Sequence, residues 1–415
     1  MAMTNQENDF DVAIIGAGAA GLATACAMAL EDLKIICFDK MFGFDGQTKG
    51  DTRTIALLQN SIYLLQNLGV WEQCEPYAEP LNIMKVVDDT GRFPPVPTAS
   101  FDANDLGPEP FGYNIPNDRL VSILSEHAGK NPNITLFETD HVESIENLAS
   151  KAIVTPVEGQ PVSVSLVVGA DGAHSLARRA ANITTTDWKY DQTAIACWFS
   201  HNRPHENIST EFHRKAGPLV LVPMQGDRCG LVWVEKPERA DQLMALDEDG
   251  FRKQLDAAIH GTLGTIGNIS RRSAFPLSGL VANNFAKGRT ALVGHAAHVL
   301  PPIGAQGLNL GLRDAAMIAD IAGKAHLRGL DPGGAEVIAK YDEMRRSDIL
   351  SRTFTVDFLN RSLMHGWFPP LQASRAIGVQ LLKLIPPLRK AVMREGIAPQ
   401  SNLPPLMHSR TAQNS

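Results

Sequence analysis

Short apolar runs, each closed by a glycine-rich turn, alternate along the chain with longer stretches of helical periodicity. Residues 11–15 (DVAII) are such a run and predict a buried strand. GAGAAG follows at once at 16–21, residues 22–30 predict a helix, and residues 34–38 predict a second strand that ends at Asp39. Strand, turn, helix and strand in this order make the βαβ unit of a parallel sheet. Residues 55–68 read as an amphipathic helix, and residues 80–113, rich in Pro, Asp and Gly, as strands and loops of an inserted layer. NIPNDRLVSIL at 114–124 predicts a strand end and a helix from Asn117. Residues 134–145 and 152–157 alternate in part, as strands of a small sheet do. Residues 164–168 (VSLVV) predict a strand that runs into GADGAHSLARR, where Asp171 and Gly172 make a turn and Ser175 and Arg178 open a helix.

The pattern changes over 186–280. Residues 193–199, 208–212, 218–223 and 229–234 are β-branched and aromatic, with turns at Gly217 and 225–227. They predict a mainly antiparallel sheet forming the wall of a substrate cavity. Trp198, Phe212, Met224, Trp233 and Phe275 are the candidates to line it, with plain core packing as the alternative for each. The stretch 289–314 then predicts a strand at 290–293, a turn at Gly294, a Pro-Pro-Ile-Gly loop and a helix on which Leu312, Ala315, Ala316 and Ala319 share a buried face. Residues 334–365 predict helix and carry Tyr341 and a basic run of Arg345, Arg346, Arg352 and Arg361. Residues 371–397 mix Leu, Ile and Val with Arg375, Lys383, Arg389, Lys390 and Arg394. Such a segment suits a membrane surface or a helix docked on the body, and both readings stand. The polar tail at 398–415 is expected to be disordered.

At 415 residues the chain calls for about two domains. A hydrophobic content of 44% and a charged content of 20% describe an ordinary globular protein, and a net charge of −7 argues against a nucleic-acid surface. Five scattered cysteines without a C-x-x-C pair fit a reducing compartment and exclude a structural zinc site. The polar N-terminus is unlike a signal peptide, and no apolar run is long enough to span a bilayer. The expectation is a cytoplasmic protein that can touch the inner face of the membrane.

The chemistry sits at the turns. Gly16, Gly18 and Gly21 match G-x-G-x-x-G. The first permits the tight turn, the second lets a pyrophosphate approach the backbone, and the third lets the helix pack on its strand. Asp39, followed by Lys40, stands where an acid holds the adenosine ribose. Arg53, just ahead of a predicted helix, suits a phosphate or simply a surface cap. The Asp171–Gly172 turn can place an acid beside a pyrophosphate or be ordinary punctuation. Gly304 and Gly307 frame a helix entry whose free N–H groups suit a developing anion. His295 and His298 have no carboxylate or Cys at ligand spacing, so no metal is expected. No nucleophile sits in an elbow context.

GAGAAG at 16–21, GADG at 169–172 and LVGHAAHVLPPIGAQGLNLG at 292–311 stand in a fixed order. That order resembles the single-component FAD-dependent aromatic hydroxylases, with a fold like that of p-hydroxybenzoate hydroxylase. DTRTIALLQNS, AGPLVLVPM, LVWVE, SAFPLS and LKLIPPLRKAVMREGI resemble the ubiquinone-biosynthesis hydroxylases of the UbiH type in particular. The resemblance implies an α/β fold with a Rossmann-like FAD-binding domain over 10–75, 114–185 and 281–330, an inserted sheet domain over 76–113 and 186–280, and C-terminal helices over 331–397. It implies that Gly16, Gly18, Ala19, Ala20, Gly21, Asp39 and Lys40 bind the ADP half of FAD. Arg53 and Asn117 would lie on the flavin side. Asp171 and Gly172 would stand between the pyrophosphate and the path of the nicotinamide. Gly304, Gln306, Gly307 and Asn309 would surround the isoalloxazine with Pro302 near it, Gly294 and Leu308 would belong to the same cofactor site, and His295 would stand where an Asp usually bonds the ribityl or ribose region.

The implied reaction is hydroxylation of a phenolic or prenylphenol substrate by way of NAD(P)H-reduced flavin, O2 and a C4a-hydroperoxide, with no side-chain base. A quinone-biosynthesis complex, the membrane face or a second copy of the chain are the implied partners. Two departures stand out: His295 replaces the Asp usual after the third-motif glycine, and PPIGAQG at 301–307 is closer to the p-hydroxybenzoate hydroxylase loop than to the ubiquinone branch. A hydroxylase of a small soluble phenol and a non-catalytic flavin-fold subunit are the alternatives these departures raise. A flavin halogenase is not, because its W-x-W-x-I-P pattern is absent.

Overall fold

The first strand, Phe10–Ile15, is buried along four consecutive residues, as a strand covered on both faces must be. It occupies the middle of a parallel sheet in the computed structural model, which describes residues 9–42, 53–91, 97–302, 304–364, 387, 390, 393 and 403–409. Ile35–Asp39 pairs with it on one side and Val162–Gly169 on the other, both in parallel. Ile134–Glu138 extends the sheet beyond the former, and Thr290–Leu292 beyond the latter. The hairpin of Val142–Asn147 and Ala152–Pro156 joins through antiparallel pairing to Val162–Gly169.

Helix Ala19–Ala29 is made almost wholly of small residues and is buried along nearly its whole length. It packs on helix Gln306–His326 at very short range. A Cβ on Gly311 would stand 3.1 Å from the Gly294 Cα and 3.4 Å from the Ala20 Cβ. The glycines and alanines here therefore bring two helices and one turn into backbone contact.

A second sheet of nine strands is built around the 17-residue strand Thr185–His201. Ser273–Ala282 and Arg228–Glu235 flank it antiparallel, followed outward by Pro218–Met224 and Ile208–His213. Ile83–Asp88 and Ala99–Asp102, from the early inserted layer, complete that edge. On the opposite edge the two-residue strand His298–Val299 pairs with Ser273–Ala282, tying the 294–305 loop to this sheet.

Strand alternation gives the sheet two unlike faces. One is covered by helices Pro237–Ala245 and Glu248–Ala258 over a core containing Ile195, Phe199, Phe212, Leu231, Trp233 and Phe251. Only strands were expected over this stretch. The signals of these helices are local: Pro237 at the first helical position, and Asp247 accepting from the Gly250 N–H at 2.7 Å ahead of Glu248 and Asp249. The other face carries the half-buried Trp198, Val220, Val222, Val232 and Phe275.

Between the two sheets lies a third, of Thr54–Leu58, Gly112–Pro116 and Glu79–Pro80. Residues 55–58 are thus strand rather than helix, and helix Gln59–Asn67 starts only after them. TIALL fits either state as a short apolar run, and its pairing with Gly112–Pro116 decides the matter. A Cβ on Gly230 would meet Thr54 Oγ1 at 2.7 Å, and Asn114 Nδ2 donates to the Pro223 carbonyl at 2.8 Å.

The chain end corrects another expectation. Residues 403–409 are packed, with Met407 buried and Asn67 Nδ2 donating to the carbonyls of Leu406 (2.8 Å) and His408 (3.0 Å). Leu403, Leu406 and Met407 supply apolar surface that the polar average of the tail conceals. Most of the basic segment 371–397 lies outside the described residues, but Met393 is buried with Ala103 and Phe111. Among the described residues no helix is long and apolar enough to cross a membrane.

Candidate active site

The carboxyl ends of Phe10–Ile15, Ile35–Asp39 and Val162–Gly169 open on a cleft of about 400 Å³, whose walls include Gly16, Gly18, Asp39, Lys40, Asp140 and Asp171. Open parallel sheets bind ligands at this end. Gly16 has φ +101°, and a Cβ there would lie 2.5 Å from the Ala170 carbonyl oxygen. At Gly21 a Cβ would overlap the Gly16 carbonyl oxygen, so both positions require glycine for the chain's own packing. Gly18 differs, because no atom lies within 4 Å of a Cβ placed on it. It also forms the start of helix Ala19–Ala29, which has no side-chain cap. The first N–H groups of that helix therefore have no intrahelical partner and no side-chain cap, and an anion fits at them.

Asp39 accepts from the Ala17 N–H at 2.5 Å and from Met41 at 3.3 Å. This fixes its carboxylate at the rim between strand and glycine turn. Lys40 is paired with Asp140 at 2.7 Å on the surface of the same rim. Asp171 Oδ2 caps the next helix by accepting from Leu176 (2.6 Å) and Ala177 (3.1 Å), whereas its Oδ1 is buried with no partner among the described residues. An open glycine turn, an uncapped helix, a strand-end acid and an orphaned carboxylate oxygen together fit a dinucleotide's pyrophosphate and ribose. Gly172, at φ +78°, makes the turn that follows Asp171. Arg178, inside that turn's helix, is buried and donates to the carbonyls of Ala296 (2.8 Å) and Ala173 (2.7 Å). The turn is thereby bolted to the 294–305 loop, a link that the sequence spacing does not reveal.

The loop itself contains three special conformations. Gly294 (φ +57°), Gly304 (φ +63°) and Ala305 (φ +55°) are left-handed, the last unusually for a residue with a Cβ. Helix Gln306–His326 starts directly from Ala305 without a side-chain cap, leaving its first N–H groups, near Gly307 and Leu308, without an intrahelical partner. Gly304 is exposed, and Pro302, Gln306 and Gly307 are half-buried along the same edge. Leu308 packs into the main core.

Asn309 is a clasp inside the protein. Its Oδ1 accepts from the Leu58 N–H (2.8 Å) and Ser61 Oγ (2.7 Å), and its Nδ2 donates to the carbonyls of Ala56 (2.8 Å) and Ala305 (2.6 Å). Its side chain is thus committed to holding the helix start against strand Thr54–Leu58. The Asn117 N–H donates to the Arg53 carbonyl at 3.0 Å, which places these two residues together at the head of the small sheet.

His295 is exposed to solvent, yet protein surrounds it closely enough that its pKa falls below the ordinary histidine value. Burial is the main cause, followed by the neighbouring His298 and the positive charge of Arg53. The His295 imidazole is neutral at pH 7 and keeps one donor and one acceptor.

Of the five candidates for the substrate wall, Trp198, Met224 and Phe275 lie on the face of the second sheet turned towards Thr54. Phe212 and Trp233 do not. They are 3% and 2% exposed on the opposite face, under the two helices, and Trp233 Nε1 donates to Glu235 at 3.0 Å. Composition suggested all five, whereas the two-residue period of the strands divides them. No cluster of His, Cys, Asp or Glu suitable for a metal occurs among the described residues.

An open parallel sheet with this glycine turn, an inserted antiparallel sheet and an uncapped helix facing it define a flavoprotein of the aromatic-hydroxylase architecture. The FAD binding domain family matches residues 9–349, and the chain belongs to it. It is 31% identical to the ubiquinone hydroxylase UbiL of Rhodospirillum rubrum, over 93% of this chain and 89% of that protein. It is 26% identical to the 3-demethoxyubiquinol 3-hydroxylase of Escherichia coli strain K12, over 94% and 99% respectively. Among solved structures, p-nitrophenol 4-monooxygenase PnpA of Pseudomonas putida DLL-E4 superimposes with a TM-score of 0.75 at 18% identity, covering 94% of this chain and 98% of that one. The chain is therefore an FAD-dependent monooxygenase in fold and family.

Proposed function

We propose that this protein hydroxylates the aromatic ring of a polyprenylated phenol on the route to ubiquinone. The observation that carries the reading is the apolar face of Trp198, Val220, Val222, Val232 and Phe275, set on the side of the sheet that meets the flavin-side elements at Thr54. The likeness to the ubiquinone hydroxylase UbiL and to the 3-demethoxyubiquinol 3-hydroxylase supports it. When bound and reduced by NAD(P)H, FAD supplies activation of O2, so that one oxygen atom enters the ring and the other leaves as water.

The chain's own residues do the rest. Gly16, Gly18 and Asp39 seat the ADP half, with Asp171 beside the pyrophosphate. The unpaired N–H groups after Ala305 favour negative charge on the ring beside them. Neutral His295 can hold a hydroxyl through either ring nitrogen. The apolar face excludes water from the reacting ring and holds its hydrocarbon tail.

PPIGAQG at 301–307 favours a second reading, in which the phenol is small and soluble. The two are separated by a mass-spectrometric profile of quinones and precursors in cells lacking the gene. Loss of the quinone with one accumulated prenylphenol supports the first. An unchanged profile, with turnover of 4-hydroxybenzoate by the purified protein, replaces it with the second.

A further inference from the structure

A buried chain of charges runs behind the flavin loop and plays no part in the site as described so far. Asp314, fully buried on helix Gln306–His326, accepts from the Gly294 N–H (2.9 Å) and from His298 Nε2 (2.6 Å) through one oxygen. Through the other it accepts from Arg345 Nε at 2.6 Å. Arg345 lies on helix Ala335–Met364, is itself fully buried, and reaches on to Asp348 at 2.6 Å. Asp348 binds Arg352 at 2.8 Å and Arg313 at 3.2 Å. Arg352 Nη1 then donates to Gln306 Oε1 at 3.4 Å, and Gln306 Nε2 donates to the Gly304 carbonyl at 3.1 Å. The same helix also holds the strand ahead of the loop, where Tyr341 donates to the Leu292 carbonyl at 2.8 Å.

The path therefore begins at the entrance of the loop, at Gly294 and His298, and returns to its exit, at Gly304 and Gln306. Helix Ala335–Met364 closes the circuit from outside. Burial alone would raise the Asp314 carboxyl, but Arg345, His298 and the Gly294 N–H outweigh it and hold the group ionised. Leaving His298 aside, the circuit sets the guanidiniums of Arg313, Arg345 and Arg352 against the carboxylates of Asp314 and Asp348, a surplus of one positive charge. The neighbouring Arg346 is balanced by Asp342 at 2.7 Å. A buried surplus of this sign is poorly screened.

We propose that Arg345 and Arg352 are positioning residues for the flavin loop. Through Asp314 and Asp348 they hold its two ends in the shape that receives the isoalloxazine, and their surplus charge favours the reduced, anionic ring. The proposal rests on the reading that residues 294–302 and 304–307 lie against the flavin. It makes the helix after the dinucleotide unit a determinant of cofactor retention and potential, although it contributes no contact to the cofactor.

The test uses the full chain with Arg352→Gln and Arg352→Lys, because Arg352 is only partly buried and its loss should spare the fold. FAD affinity is measured by fluorescence titration, the potential of the bound flavin by reductive titration against a reference dye, and apo-protein stability by urea unfolding. The expected result for Arg352→Gln is FAD binding weakened on the order of tenfold, the range by which a residue coupled to a site without touching its ligand alters affinity. A more negative potential and a modest loss of apo stability, from the broken Arg352–Asp348 pair, accompany it, with partial recovery of affinity and potential in Arg352→Lys. Affinity and potential unchanged in Arg352→Gln, whether or not apo stability falls, overturn the proposal and leave the circuit a structural one. A wild-type protein that retains no FAD overturns the reading of the loop itself, and the proposal with it. That failure appears before any variant is made.

Discussion

Gly18→Ala and Gly21→Ala make opposite demands on the structure and separate what the protein needs for itself from what the cofactor needs. At Gly21 a Cβ would overlap the Gly16 carbonyl and lie 3.1 Å from the Ala170 Cβ. Overpacking against atoms that cannot rotate away costs about 3 kcal/mol. The apo protein should therefore lose stability whether or not FAD is present. At Gly18 the backbone is extended (φ −68°, ψ 176°), a conformation open to any residue, and a Cβ would touch nothing in the protein. Loss of unfolded-state freedom and the poorer helix cap roughly cancel, so apo stability should stay within about 1 kcal/mol of wild type. The added methyl would instead fill the space against which a pyrophosphate lies. Displacing it from the N–H groups forfeits one charge-assisted hydrogen bond, about 1.5–3 kcal/mol, or on the order of ten- to a hundredfold in affinity. Urea unfolding of the apo protein and FAD titration read the two effects separately. Wild-type FAD affinity in Gly18→Ala would refute the placement of the pyrophosphate.

Other expectations follow from the same geometry. Gly307→Asp puts a carboxylate at the uncapped helix start beside the flavin position and should lower FAD retention during gel filtration; full occupancy would count against the ring lying there. Trp198→Ala should raise KM for a prenylphenol while sparing the fold, whereas Trp233→Ala should cost about 3–5 kcal/mol of stability, as urea unfolding would show. Burial alone would raise the Asp348 carboxyl, but Arg345, Arg313 and Arg352 hold it at about 2. Its contribution, roughly 2 kcal/mol, is complete above the ordinary value of 3.8 and disappears as the pH falls from there towards 2. Urea midpoints across that window should show the loss, and Arg345→Met should remove much of it. Burial pushes the thiols of Cys26, Cys74, Cys197 and Cys229 up to about 12, so iodoacetamide should leave them unmodified in the folded protein at neutral pH.

The dinucleotide half was legible because its constraints are local. Gly16, Gly21 and Asp39 act within one strand–turn–helix–strand unit, where spacing alone expresses the geometry. The division of the aromatic residues of the second sheet was not, since Phe212 and Trp233 differ from Trp198 and Phe275 only in the side of the sheet they face. That side is fixed by register with strands far away in sequence. The strand at Thr54–Leu58 was hidden for the same reason, its partner lying at Gly112–Pro116. The resemblance put Asn309 around the isoalloxazine, but its four hydrogen bonds turn inward to Leu58, Ser61, Ala56 and Ala305. The circuit from Asp314 to Arg352 reads in the sequence only as a basic run on a helix, because its acids are supplied by two separate helices.

The central claim, that FAD held in this cleft oxygenates a phenolic ring against the apolar sheet, is tested most directly with isotopically heavy O2. The FAD-loaded protein is reduced without air and mixed with the heavy gas and a short-chain prenylphenol, and the products are resolved by mass spectrometry. One heavy oxygen atom on the aromatic ring is the predicted result. Reoxidation of the flavin to hydrogen peroxide alone, with every prenylated and soluble phenol recovered unchanged, would contradict it.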